Sequence, residues 1–128
     1  MKKITFQVAA IFMLTGLFLS NAYSGDVSLE VKDFKYNGNG QVVVHYSLVN
    51  TYGFDYPNMT LGFKVTQNGK PLGCQRIKQS IPKDADGSEI IELVIDASTD
   101  GKQFNLQYVA FTGGVDFHKV DAWFAGCN

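Results

Sequence analysis

Residues 41–73 have the sequence QVVVHYSLVNTYGFDYPNMTLGFKVTQNGKPLG, in which apolar and polar side chains alternate on both sides of an aromatic segment. Alternation with a period of two is typical of a β-strand with one buried face. Asn68-Gly69 is a strong hairpin signal, because a type I′ turn needs positive φ at both central residues. This stretch therefore predicts three strands, the last of them running from Lys70 to Ile77 with Cys74 in its middle.

The same alternation continues on both sides of this stretch. Upstream, the apolar series that starts at Val27 changes parity at Asp33. A slip of one residue turns every side chain to the opposite face, so we expect a bulge or a crossing between sheets there. Downstream, the pattern predicts further extended segments at 89–96, 104–110 and 115–124.

The spacing of these segments predicts an all-β fold. About seven short strands, with turn signals every eight to twelve residues, favour an immunoglobulin-like antiparallel β-sandwich. A small closed β-barrel is the alternative. The 3.6-residue period of an amphipathic helix is not evident in the sequence, so we expect little helix.

One composite pattern resembles small bacterial extracytoplasmic immunoglobulin-like domains of the FxLYD kind. The resemblance covers residues 42–73, and the motif that names the family is absent. It implies a sandwich fold and an address outside the cytoplasm, and it assigns no chemistry and no functional residue. The pattern is Val42-x-Val44-x-Tyr46-x-Leu48-x-Asn50, then Tyr56-Pro57-Asn58-x-Thr60-x-x-Phe63-x-Val65, then Asn68-Gly69, with Gly73 beyond.

The N-terminus has the features of a secretory signal peptide, since a basic start at Lys2-Lys3 is followed by an apolar run that ends at Leu19. Cleavage after Ala22 would give a signal peptide at 1–22 and one domain at 23–128, and release of Gly25 is the alternative. The apolar run is shorter than the roughly 20 residues of a spanning helix, so we expect no stable membrane insertion after cleavage. The sequence predicts a periplasmic or secreted protein.

The charge balance argues against a nucleic-acid partner. Loss of Lys2 and Lys3 with the signal peptide leaves 9 basic and 12 acidic residues, a net charge of −3. The basic residues are scattered and form no stripe interleaved with aromatic residues. The chain therefore lacks the basic stripe that is typical of proteins that bind a nucleic-acid phosphate backbone.

Cys74 and Cys127 are the two cysteines of the chain. An even count in an oxidising compartment predicts a disulfide bond between them, which would tie the end of the chain to the middle of the fold. The alternative is a nucleophilic thiol, which needs an oriented histidine. Neither His45 nor His118 lies in a recognisable cysteine-enzyme motif.

The segment between the first two strands of the opening stretch is the best candidate for a contact surface. Residues 52–56 hold three aromatic side chains and one carboxylate. Rigid aromatic side chains favour binding hot spots, and loops on a rigid scaffold often carry function. The alternative is that Tyr56-Pro57 forms a corner over one end of the core. The predicted partner-binding residues are Tyr52, Phe54, Asp55 and Tyr56.

Two further sets of side chains carry atoms that metals bind. The carboxylates of Asp84, Asp86 and Glu89 lie beside a glycine, an arrangement that can hold calcium. They lack the ligand spacing of a helix-loop-helix calcium site, so a solvated turn is favoured. Histidines with a carboxylate can hold a transition metal, but isolated histidines are more often surface residues. We predict no metal, cofactor or catalytic residue. The sets are Asp84, Asp86 and Glu89, and His45, His118 and Asp116.

Two single residues have alternative interpretations. Trp123, beside Phe124, is expected to be a core residue close to the disulfide, and a sugar-stacking platform is the alternative. Asn58-Met59-Thr60 has the form of a glycosylation sequon. The bacterial type of N-terminus favours a turn role for Asn58 instead.

Three classes of function are compatible with these features. The leading hypothesis is an exported non-enzymatic binding module that recognises a protein or glycan through its end loops, for example as an inhibitor or immunity factor for an exported hydrolase. The second is a structural or assembly subunit that pairs through a sheet edge. An enzyme or a metal carrier is less favoured, because no motif supports it.

Overall fold

The computed structural model describes residues 27–99, 103–111 and 115–127. The expected signal peptide lies outside the described residues. The described part contains six strands and one short helix. In chain order these are β1 (Val27–Tyr36), β2 (Gln41–Asn50), β3 (Tyr56–Gln67), β4 (Lys70–Ile81), β5 (Ile91–Asp96), β6 (Asn105–Phe111) and α1 (Phe117–Trp123).

The strands form two three-stranded sheets that pack face to face. The first sheet has the order β1-β2-β5 and the second has the order β4-β3-β6, with every neighbouring pair antiparallel. The predicted β-sandwich is confirmed, and the alternative of a closed barrel is wrong. The described residues form six strands instead of about seven, because the last predicted segment is not a strand.

The core lies between β2 and β3, which are the central strands of the two sheets. The rings of Tyr46 and Phe63 meet across it with their centroids 5.1 Å apart. The alternation in the sequence places the apolar side chains of both strands correctly, since the predicted inward set is the set of buried apolar side chains. These are Val42, Val44, Tyr46 and Leu48, and Met59, Leu61, Phe63 and Val65. The buried polar residues of the two strands are Ser47, Asn50, Thr60 and Thr66.

Two local predictions about the backbone are confirmed. The pairing of β1 with β2 shifts register between Val31 and Asp33, which is the bulge that the change of parity predicts. The hairpin between β3 and β4 has positive φ at both central residues, 55° at Asn68 and 79° at Gly69. Strand β4 continues to Ile81, four residues beyond the end that we predicted at Ile77.

The prediction of an extended segment at 115–124 is wrong, because residues 117–123 form helix α1. The Asp116 side chain caps this helix by accepting a hydrogen bond from the backbone N–H of His118 at 2.9 Å. Val120 and Phe124, one helical turn apart, are both buried, whereas Ala122 is exposed. Two turns are too short for a helical period to show in the sequence.

Helix α1 packs on the outer face of the second sheet. Gly62 of β3 makes this approach possible, since a Cβ atom at that position would lie 2.7 Å from the ring of Trp123 and 2.8 Å from that of Phe124. The Lys64 ammonium lies 4.4 Å from the centre of the Trp123 ring and donates to the Trp123 carbonyl. Burial in this contact lowers the pKa of Lys64. Trp123 is therefore half-buried outside the sandwich core.

The predicted disulfide bond joins Cys74 of β4 to Cys127, and its two Cα atoms are 5.8 Å apart. Cys74 is paired across the strands with Lys64, so the bond lies on the same outer face as α1. It anchors the chain just beyond the helix. Within the described ranges, no helix has both the length and the apolar character that a membrane span needs.

Reduction of this bond should lower the free energy of unfolding by about 4 kcal/mol, because the bond closes a long loop in the unfolded chain. Urea unfolding with and without reductant measures the change. A Cys74→Ser/Cys127→Ser double variant is the control, and its midpoint should not respond to reductant. Two free thiols in the purified wild-type protein would contradict the prediction.

Candidate functional site

The aromatic loop, residues 51–57, comprises the connection from β2 of the first sheet to β3 of the second, at one end of the sandwich, together with the first two residues of β3. Tyr56 is half-buried and packs against the core, as expected of a corner between sheets. Tyr52 and Phe54 are exposed to 48% and 68%. The loop is therefore a corner that also presents two aromatic rings to solvent.

The three rings of this loop contact one another. Tyr52 lies in the middle, with its ring centre 5.7 Å from that of Phe54 and 5.5 Å from that of Tyr56. The ring planes are inclined by 63° and 60°, the edge-to-face arrangement in which each pair contributes about 0.5–1.5 kcal/mol. The exposed rings are held in place through Tyr56, which is itself held by the core.

Asn50, the last residue of β2, organises the backbone of the loop. Its Nδ2 group donates to the carbonyl oxygens of Phe54, Ile81 and Pro82 at 2.9, 3.2 and 3.1 Å. Its Oδ1 atom accepts from the backbone N–H of Tyr52 at 2.8 Å. The Asn50 side chain is buried, and its bond to the Ile81 carbonyl is buried with it, whereas the other three bonds are partly accessible to water. One amide side chain thus joins the aromatic loop to the end of β4.

Asp55 makes a second link to the segment that follows β4. Its Oδ1 atom accepts from the backbone N–H of Lys83 at 2.9 Å. That segment is itself fixed to the end of β2, because Asn50 N–H donates to the Ala85 carbonyl at 2.8 Å and Gly87 N–H donates to the Leu48 carbonyl at 3.0 Å. The aromatic loop therefore rests on a hydrogen-bonded support.

Asn58 has a backbone role next to this loop. Its φ is 59°, and the pairing of β3 with β4 shifts register between Tyr56 and Met59. Asparagine tolerates this left-handed conformation better than most residues. The structure therefore places Asn58 within β3, at an irregularity of the strand, and not in the turn that the sequence predicted.

Two open depressions meet at the aromatic loop. The first, of about 470 Å³, is lined by the four predicted partner-binding residues and Pro57. The second, of about 380 Å³, is lined by Asp55, Pro57, Ser80, Ile81 and Pro82. The structure thus places Tyr52, Phe54, Asp55 and Tyr56 on one surface. Sequence analysis did not identify the contribution of 80–82, since nothing in the sequence pairs these residues with the loop.

His45 lies on the outer face of the first sheet, whereas His118 and Asp116, the other residues of the possible metal site, lie in or next to α1. Its Nδ1 atom is 2.7 Å from Oδ1 of Asp33, and its Nε2 atom is 3.2 Å from Oε2 of Glu92. Both carboxylates belong to its direct cross-strand partners. They favour the protonated ring and raise the pKa of His45. His118 and Asp116 lie together in α1, on the other sheet.

In residues 27–99, 103–111 and 115–127, no group of three or more His, Cys, Asp or Glu side chains is placed to hold a metal ion. The Asp86 carboxylate accepts from the Ser88 N–H at 3.0 Å and from the Ser88 hydroxyl at 2.5 Å. These bonds lower the pKa of Asp86. Asp84 and Glu89 are exposed. The acidic segment therefore has the contacts of a solvated turn.

Comparisons of the chain with protein-family models, with curated proteins and with solved structures found no match. The resemblance to FxLYD domains stays a prediction.

Replacing Asn50 by alanine should lower the free energy of unfolding by about 1–3 kcal/mol, because the buried Ile81 carbonyl would lose its donor. Urea unfolding of Asn50→Ala measures this. Asn105→Ala, at an exposed asparagine at the start of β6, is the control and should unfold like the wild type. Equal stability of the two variants would show that Asn50 does not hold the loop.

His45 should stabilise the fold more in acid than in base. A pKa that is higher in the folded state than the unfolded value near 6.5 gives stabilisation that is complete below about pH 6.5. This stabilisation is lost as the pH rises through the folded pKa. Urea unfolding of wild type and His45→Gln at about pH 5 and pH 8.5 should show the larger difference at the lower pH.

The control for this effect is an Asp33→Asn/Glu92→Gln double variant, in which both carboxylates are neutral. NMR titration of the His45 ring should show a lower pKa in that variant than in the wild type. Identical titration curves would mean that the two carboxylates do not act on His45 in solution.

Proposed function

We propose that this chain is an exported, non-enzymatic binding module that recognises a protein partner through the aromatic loop. One observation carries the proposal: Tyr52 and Phe54 are both strongly exposed and are nevertheless held in a fixed arrangement at one end of the sandwich. Clustered exposed aromatic side chains are typical of interaction sites, in which they act as anchors.

The way in which the loop is held supports this proposal. Binding is weakened by the conformational entropy that a flexible loop loses on association. Here Asn50 and Asp55 already fix the backbone, and the ring contacts limit the motion of Tyr52 and Phe54. A partner would therefore meet an ordered surface and would lose less affinity to ordering.

The disulfide bond supports an address in an oxidising compartment, since such bonds are rare in the cytosol. With the features of the N-terminal sequence, this favours a periplasmic or secreted protein. An inhibitor or immunity factor for an exported hydrolase is one concrete form of the proposed function. A rigid loop that protrudes from a small sandwich is suited to a cleft, because neither partner then needs a large rearrangement.

Assembly through a sheet edge is the second candidate, and one observation favours it. Strand β6 is an edge strand, and its sequence, NLQYVAF, contains no charged side chain. The other strand at that side of the sandwich, β1, carries Glu30, Lys32, Asp33 and Lys35 and a bulge, all of which oppose strand addition. On that side of the sandwich, an added strand would therefore pair with β6.

The test is affinity capture from envelope and culture extracts with the immobilised mature domain. We expect the wild type to retain a protein that a Tyr52→Ala/Phe54→Ala variant does not retain, because the variant lacks both exposed rings. Phe117→Ala is the matched control, since Phe117 is an aromatic residue of α1 with 73% exposure. It should retain the same protein as the wild type.

Both variants must first show the Cys74–Cys127 bond and a cooperative unfolding transition. Equal capture by the loop variant and the wild type would contradict a binding role for the aromatic loop. Assembly that depends on protein concentration, without a captured partner, would support strand addition at β6 instead.

A further inference from the structure

Asp55 holds a special position at the aromatic loop. It lines both depressions, and it is the sole charged residue among the described residues that line either of them. The basic residue that follows the second depression, Lys83, contacts Asp55 through its backbone N–H. The residues that line the two depressions therefore carry one formal charge, which is negative, and the exposed basic residue Lys83 lies next to them in the chain.

The aromatic rings around Asp55, like its carboxylate, favour a positively charged ligand. The face of an aromatic ring carries negative charge density, so a cation over Tyr52 or Phe54 is attracted to it. Three aromatic rings and one carboxylate line the first depression, together with Pro57. Both kinds of group therefore favour a cation in the same place.

The Asp55 carboxylate is also able to accept further hydrogen bonds. It is exposed, and among the described residues its hydrogen bond comes from the Lys83 N–H to Oδ1. A carboxylate has about four acceptor positions on two oxygens. One bond therefore leaves capacity for a donor from a partner.

We propose that the first depression binds an arginine side chain of the protein partner, with its guanidinium group over the exposed rings and hydrogen-bonded to Asp55. This inference depends on the proposed function and specifies the chemistry of its partner. Arginine fits better than lysine, because its planar group stacks on aromatic faces and also donates two parallel bonds to a carboxylate.

The test is a titration of the folded protein with N-acetyl-arginine amide, in which binding is detected by NMR. Its matched control is N-acetyl-citrulline amide, which has nearly the same shape and no charge. We expect saturable shifts of the backbone amide signals of residues 52–56 with the arginine probe. The citrulline probe should bind about tenfold more weakly or not at all, because it lacks the charge that strengthens the hydrogen bond.

Asp55→Asn is the critical variant, since its side-chain oxygen can still accept from the Lys83 N–H while the charge is lost. It should bind the arginine probe about tenfold more weakly than the wild type. Asp84→Asn, at an exposed carboxylate that lines neither depression, is the control and should bind like the wild type. Equal binding by Asp55→Asn, equal binding of the citrulline probe, or shifts outside the loop would each overturn the inference.

The capture experiment separates failure of this inference from failure of the proposed function. A protein retained equally by wild type and Asp55→Asn, but lost by Tyr52→Ala/Phe54→Ala, would keep the binding role and reject the arginine. A glycan in place of a protein, with sugar rings stacked on the loop, would reject it as well. A protein lost by both variants, with an arginine at its contact site, is the expected result.

Discussion

The structure depends on the burial of β2 and β3 against each other. Each strand contributes four apolar side chains to the space between the sheets, and the contact between Tyr46 and Phe63 lies within it. Every other strand flanks one of these two. Because β2 and β3 are consecutive in the chain and belong to different sheets, the chain must cross from one sheet to the other at the end of β2. The aromatic loop is that crossing.

A crossing between sheets leaves backbone polar groups without partners from either sheet, and a buried group of this kind is costly. Asn50 pairs several of these groups, among them the buried Ile81 carbonyl, with one side chain that bonds to the crossing and to the end of β4 at the same time. The same bonds make the loop rigid. A requirement of folding and a property that favours binding therefore have the same physical cause.

The outer faces of the two sheets differ. The second sheet is covered by α1, which packs over Gly62 and is anchored by the disulfide bond. The first sheet presents a polar row in which His45 lies between two carboxylates. Exposed aromatic side chains occur at Phe34, Tyr108 and Phe117 as well as in the aromatic loop. In the loop, Tyr52 and Phe54 contact each other and line an open depression together with Asp55, which supports a binding role.

The sequence by itself determined an all-β fold with the sandwich favoured over a barrel, a bulge or a crossing at Asp33, the hairpin at Asn68-Gly69 and the disulfide bond. These features follow from the sequence because they depend on side-chain alternation, on residues that tolerate positive φ and on the number of cysteines. It also singled out the aromatic residues of the loop. Only the tertiary structure decided that 117–123 is a helix, because a two-turn helix is specified by its cap and by the surface it covers. It also decided which groups support the loop, since Lys83 lies 28 residues from Asp55 and hydrogen bonds over such distances follow from packing of the sheets.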